Sequence, residues 1–243
     1  MANIIANRLV VSANSNEELN DFLRDIKGDV LIVGEYLSID FNKIIPMPDD
    51  IKTTESSSMI DNCIFYYLTM TDQGDAVGHI LKSVCHSFEM FEGLPQEKLD
   101  EMFSIGKKYV DIFKKHGAKD WYDWSVINWG TKWNAYNTDI VYLDTCEVVI
   151  TFNTAWSGVP YIINELSERY PSLTFDYTYA DEDMGNNCGR GRGEDGEFIY
   201  TLLMDGSDEA IDTYALCWDF DEEVFYKDDN GTWHNREFDD SDE

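Results

Sequence analysis

Positive charge is scarce in this sequence. Its 243 residues carry 18 lysines and arginines against 48 aspartates and glutamates, a formal net charge of −30. Such a field repels nucleic acid and anionic membranes and attracts basic partners. Direct DNA or RNA binding is therefore disfavoured, because phosphate contacts need a basic surface. The plainer alternative is that the acids keep the protein dispersed. Long apolar runs are missing too. No stretch approaches the roughly 20 apolar residues that a spanning helix needs. Met1-Ala2-Asn3-Ile4 has no basic region leading into an apolar run, so no signal peptide is expected.

Catalytic signatures are equally thin. The five cysteines, Cys63, Cys85, Cys146, Cys188 and Cys217, are odd in number and irregular in spacing, with no CxxC. They are expected as free thiols in a reducing cytoplasm. There are four histidines, no H-E-x-x-H and no nucleophile elbow. His79, Cys85 and His86 lie close in sequence, but a zinc site needs more ligands at better spacing. Paired carboxylates are everywhere and identify nothing. No reaction and no cofactor are expected from these residues.

What is abundant is aromatic. Seven Trp, fourteen Tyr and thirteen Phe need a core to pack in, so the chain is expected to fold. Asn7 to Ser12 reads as a first strand. Ser15 and Glu18 form a capping box before a helix whose Leu19, Phe22, Leu23 and Ile26 make one apolar stripe. Leu37 to Ile45 alternates as a second strand, stopped by Pro46 and Pro48. Residues 49–74 read as polar and turn-rich, with Ser56-Ser57-Ser58 marking a loop and an apolar burst from Cys63 to Met70. Helical periodicity follows over His79 to Phe91 and Glu97 to Lys115, closed by Gly117. Glu147 to Phe152 is a strand, and Pro160 opens a helix that Pro171 stops. Leu173 to Tyr179 and Glu197 to Met204 are strands, with a helix over Ser207 to Trp218. Asp229-Asn230-Gly231 turns a terminal hairpin. This order predicts an α+β fold: a split βαβ antiparallel sheet, a helical insertion at about residues 49–138, and an acidic helix–hairpin extension over 206–243 after a main domain of 1–205.

Four separated motifs resemble the YubB family of phage- and plasmid-encoded proteins. They are Phe41-Asn42-Lys43-Ile44-Ile45-Pro46-Met47-Pro48; Trp124-Ser125-Val126-Ile127-Asn128-Trp129-Gly130-Thr131-Lys132-Trp133-Asn134; Thr154-Ala155-Trp156-Ser157 with Pro160; and Tyr179-Ala180-Asp181-Glu182-Asp183 with Gly185, Cys188 and Gly189. The resemblance implies a ferredoxin-like fold and a mobile-element origin. The name describes topology alone, since four suitable cysteines for an iron–sulfur cluster are lacking.

Several constellations are candidate sites. Trp124, Asn128, Trp129, Lys132, Trp133 and Asn134, with Trp156 and Arg190, would line a cleft where a flat ring stacks and amides read polar edges. The alternative is that these tryptophans lock the insertion onto the sheet. Gly189-Arg190-Gly191-Arg192-Gly193 is a basic, glycine-rich patch, either a phosphate-holding loop or a flexible hairpin loop. Asp181 and Asp183 are weak metal candidates, or an exposed strand end. Asp219, Asp221, Glu222, Glu223, Asp228, Asp229 and Trp233 combine acids with aromatics, a chemistry suited to a basic, partly apolar partner. The leading expectation is a non-enzymatic binding protein that docks on, and inhibits, a basic or nucleic-acid-binding host protein such as a defence component. The alternative is a small-ligand or nucleotide-binding domain using the Trp124–Asn134 cleft.

Overall fold

The computed structural model describes residues 2–28, 30–32, 35–36, 38–73, 77–81, 88–218, 225–229 and 231–235. In chain order the elements are β1 (Ile4–Ser12), α1 (Asn16–Ile26), β2 (Val30–Ile32), β3 (Glu35–Tyr36), α2 (Phe41–Ile44), α3 (Asp49–Lys52), α4 (Ser58–Met70) and α5 (Val77–Ile80). A 3-10 turn at Phe88–Phe91 precedes α6 (Gln96–His116) and α7 (Trp121–Trp129). Then follow β4 (Tyr136–Tyr142), β5 (Glu147–Ala155), α8 (Pro160–Arg169), β6 (Thr174–Asp181), β7 (Gly189–Glu194), β8 (Glu197–Leu202), α9 (Asp208–Cys217), β9 (Phe225–Lys227) and β10 (Trp233–Asn235).

The chain divides into two compact units. One comprises residues 1–46 and 129–243, the other residues 47–128. The first is built on a six-stranded sheet of order β4-β5-β1-β6-β7-β8, antiparallel throughout. β1 lies between β5 and β6, so two βαβ crossovers interleave: β1 to β4 with α1 in the first, and β5 to β6 through α8 in the second. The split βαβ order is the one expected from the sequence, but the strand that closes its first crossover is β4, which begins inside the residues read as insertion, and not Leu37 to Ile45.

Period-two alternation decides which side chains enter the core. Ile5, Leu9 and Val11 of β1, Val148, Ile150 and Phe152 of β5, and Phe175, Tyr177 and Tyr179 of β6 are buried on the inner face. The expected stripe of α1, Leu19, Phe22, Leu23 and Ile26, is buried, and Phe22 meets Phe175 edge-on at 5.7 Å. Ser15 caps α1 by accepting from the Glu18 amide, and Pro160 occupies the first turn of α8. A small polar cluster around Asn7 sits inside this face. Asn7 is 2% exposed, accepts from the Tyr177 hydroxyl at 2.6 Å, and donates to Ile5 O, Phe152 O and Thr154 Oγ1.

The glycine-rich run is a strand rather than a loop. β7 pairs on both sides, with β6 and with β8. Its glycines face inward under large rings. A Cβ on Gly191 would lie 2.4 Å from the Phe198 ring, and one on Gly189 would lie 2.6 Å from the Tyr179 ring. Tyr179, Tyr200 and Phe198 stack in series across these positions, filling space the glycines leave. The same alternation sends Arg190 and Arg192 to the outer face.

Three further expectations change. Phe41 to Ile44 is a helical turn, not strand, because Asp40 accepts from the Asn42 amide and Asn134 accepts from the Phe41 amide, 93 positions away. Residue 37 lies outside the described residues. The burst from Cys63 to Met70 belongs to helix α4, and Ser57, taken for loop, is its N-cap. Of His79 to Phe91, only Val77–Ile80 and the Phe88–Phe91 turn are helical, and residues 82–87 lie outside the described residues. That excludes Cys85 and His86.

The second unit, residues 47–128, is helical. α4 and α6 pack through Ile60, Ile64, Leu68, Tyr109 and Val110. Gly106 lets α6 approach the Cys63 carbonyl of α4, where no Cβ would fit. Gly117 ends α6 in a left-handed conformation with φ 72°, as expected. Lys119, Asp61 and Asp120 form a nearly buried ion cluster, with Lys119 Nζ 2.6 Å from Asp61 and 3.3 Å from Asp120. Burial alone would lower the Lys119 pKa, but the Asp61 hydrogen bond and both carboxylate charges outweigh it and raise it.

Candidate functional site

The tryptophan-rich segment splits by role. Trp129 is 3% exposed, donates from its indole to Ile45 O at 2.9 Å, and packs on Phe41. Asn134 holds the chain: its Oδ1 accepts from the Phe41 and Ala135 amides, and its Nδ2 donates to Asp40 at 2.6 Å. In the helical unit, Trp124 is buried, and Asn128 donates back to Trp124 O within α7. Each of these four residues has its polar group bonded, or its ring buried, within its own unit.

Lys132, Trp133 and Trp156 are different. Trp133 and Trp156 are 43% and 41% exposed. The Lys132 ammonium lies 4.6 Å from one ring centroid and 5.2 Å from the other. Trp156 also holds φ at 70°, a conformation rare for a bulky side chain. Such strain costs about 1–3 kcal/mol and persists only where neighbours over-determine it. The neighbours are evident. The Trp156 amide donates to Asn3 O at 3.0 Å, and its carbonyl accepts from Asn187 Nδ2 at 3.0 Å. Asn3 and Asn187 both donate to Asp181. Thr131, 1% exposed, exchanges two hydrogen bonds with Ala155, the residue before Trp156.

Asp181 is thus the hub of this scaffold. It is 4% exposed and takes N–H donors from Asn3, Asn187 and the Asp183 backbone. Asp183 bonds Asn186. Among the described residues no group of three or more His, Cys, Asp or Glu side chains is placed to hold a metal ion. The part played by Thr131, Asn187 and Asn3 left no sequence signal beyond their being short polar residues, because their partners are remote in the chain.

Arg190 stands away from the tryptophans. In the sheet register it faces Thr178, which faces Arg8. Trp156 pairs with Asn3, five residues along β1 from Arg8, on the order of 17 Å. Arg192 is held by Asp176, with both contacts at 2.8 Å, and by Glu194 at 3.2 Å. A shallow groove of about 400 Å³ on this outer face is lined by Arg8, Thr178, Arg190, Arg192, Asp176 and Ile199, among others. The helical unit has its own groove of about 530 Å³, where Lys107 and Lys115 are matched by Asp111 and Asp50.

The C-terminal extension is knit internally. α9, capped by Ser207, covers the Ala180–Cys188 end of the outer face with Ala210, Tyr214 and Trp218. Burial pushes the Cys188 and Cys217 thiols up to about 11. The hairpin rests on α9: Asp212 accepts from Lys227 at 2.6 Å and from the Trp233 indole at 2.9 Å. Asp228 takes the Thr232 amide, while Asp229 is exposed. Asp219, Asp221, Glu222 and Glu223 lie outside the described residues.

Comparison with known proteins agrees with the topology. Residues 128–224, from the end of α7 through α9, match the family model described as the ferredoxin-like domain in Api92-like protein. The fold is ferredoxin-like. No curated protein matches the sequence. The crystal structure of a protein api92 from Yersinia pseudotuberculosis superposes with a TM-score of 0.43 at 10% identity, over 85% of this chain and 100% of that one. No helix among the described residues is long and apolar enough to cross a membrane.

Proposed function

We propose that this is a non-catalytic binding protein that docks on, and blocks, a basic, nucleic-acid-binding partner protein. In its concrete form it is a mobile-element product of the YubB type acting in the cytoplasm on a component of host defence. The observation that carries the proposal is the concentration of acid at one end of the chain. Residues 205–243 hold fifteen acidic side chains against two basic ones. In the described part, Asp205, Asp208, Glu209 and Asp229 are exposed, and Met204 and Leu216 expose 77% and 58% of their surface. Acids around exposed apolar side chains suit a basic partner with an apolar centre, and the long-range field speeds encounter.

The test is capture from host lysate at low and high salt, with proteins identified. A nucleic-acid-binding protein held at low salt and released at high salt supports the proposal, because screening weakens such contacts. A Glu209→Lys, Asp229→Lys double variant should lose that capture. Recovery that ignores both salt and charge reversal overturns it.

The strained, exposed Trp156 favours a second reading, a small-ligand or nucleotide patch at Lys132, Trp133 and Trp156. Nucleotide titration followed by tryptophan fluorescence should then saturate in the native chain and not in Trp156→Ala. A flat titration removes this reading.

A further inference from the structure

The outer face of the sheet carries a row that the acidic docking surface does not use. Arg8, Thr178 and Arg190 lie on three adjacent strands in direct register. Neighbouring strands are about 4.8 Å apart, so the two arginine backbones stand on the order of 10 Å apart with a threonine hydroxyl between them. Thr201 of β8 extends the row by a second hydroxyl.

Charge makes the row informative. In a chain of net charge −30, at least nine described Lys and Arg side chains sit within ion-pair distance of an acid. Arg192, one step along β7, is among them, taken up by Asp176 and Glu194. Arg8 and Arg190 have no such pair among the described residues, although acids outnumber bases almost three to one. Cys217, whose thiol donates to Thr178 Oγ1 at 3.7 Å, is kept protonated by burial and supplies no counter-charge. These two guanidiniums, without an ion pair among the described residues, share one open groove of about 400 Å³, a size within the range of small-molecule sites.

We propose that Arg8, Thr178 and Arg190 form a binding site for a small phosphorylated ligand on the outer face of the sheet. The Thr178 hydroxyl is turned to Arg8 O and Cys217, so the donors left to a ligand are the two guanidinium forks and the Thr201 hydroxyl. These offer more donors than one carboxylate accepts, whereas a phosphate presents three or more acceptor oxygens to both forks. A nucleic-acid strand is the poorer fit. The outward positions on one side of this row are Val10, Asp176 and Ile199, and on the other side Ala180 lies under α9, whose Trp218 indole is spent on Ala180 O at 3.1 Å. A polyanion would also meet the repulsion of the whole chain, which a single phosphate group meets far less.

The experiment is calorimetric titration of the full chain at low ionic strength with inorganic phosphate, glucose 6-phosphate and, as control, glucose. Saturable binding of either phosphate probe and none of glucose is expected. Tighter binding of glucose 6-phosphate assigns a phosphate ester, and equal binding assigns the free anion. Arg8→Ala and Arg190→Ala should each weaken binding tenfold or more, with unchanged thermal unfolding as the fold check. Arg190→Lys should restore only part of it, because the fork is lost. Asp176→Asn, which removes the carboxylate lining the groove, should tighten binding severalfold. Absence of saturable binding with both phosphate probes overturns the proposal, as does binding that both arginine-to-alanine variants leave unchanged.

Discussion

The two faces of the six-stranded sheet come from the same strands and follow opposite rules. The inner face is close-packed, and its one polar centre, Asn7, is satisfied by Tyr177, Thr154 and two backbone carbonyls. The outer face is covered by α9 at the Ala180–Cys188 end and elsewhere mixes arginine, threonine and aspartate with Val10, Val141 and Ile199. β7 makes the contrast within six residues: three glycines inward, then two arginines and a glutamate outward. Shape decides residue type on one face and charge decides it on the other, so substitution should be costly in stability on the first and cheap on the second.

The sharpest test compares neighbours on β7. Gly191→Val places its first carbon within 2.4 Å of the Phe198 ring and 3.0 Å of the Ile199 carbonyl. A loss of about 3 kcal/mol, or failure to fold, is expected in chemical denaturation. Arg192→Val, one residue on, should cost no more than about 1 kcal/mol, since its ion pairs are half-exposed. Equal losses would break the comparison. A smaller contrast lies on β1. Asn7→Leu should cost roughly 2 kcal/mol by leaving the Tyr177 hydroxyl and Thr154 short of a partner. Arg8→Leu, its neighbour, should stay within about 0.5 kcal/mol.

The cover on the outer face has its own check. With their thiols pushed up to about 11 by burial, Cys188 and Cys217 should react at pH 8 at least tenfold more slowly than Cys146, by peptide mass spectrometry after alkylation. Cys217 labelling as fast as Cys146 would mean that α9 leaves the sheet. The smallest effect belongs to the hairpin. Asp212→Asn removes a half-exposed pair with Lys227 and should cost less than about 1 kcal/mol of stability in chemical denaturation.

Local patterns carried much of this fold. The α1 stripe and its Ser15 cap, Gly117 at the end of α6, Pro160 at the start of α8, and the terminal hairpin all rest on interactions within a few residues, so they were legible in sequence. Phe41 to Ile44 was not, because its geometry depends on Asn134. Nor was β7, since glycine is poor in strands until the rings of Tyr179, Tyr200 and Phe198 from flanking strands fill the space above it. The same misreading hid Arg190's true neighbour. The G-R-G-R-G-E alternation contained the two-residue period, yet only pairing on both sides shows that it is a strand.

By itself the sequence determined the charge of the surface, the α+β class and the β5–α8–β6 crossover, but not β4, which closes the first crossover and begins within residues read as helical insertion. Charge is a sum over residues, and amphipathic periods and caps act over a few positions, so neither needs remote partners. Only the tertiary structure decided which tryptophans are core and which are exposed, that Asp181 braces Trp156, and that Arg8 and Arg190 flank Thr178. Those outcomes depend on the strand register, which joins residues about 180 positions apart and which local pattern does not encode.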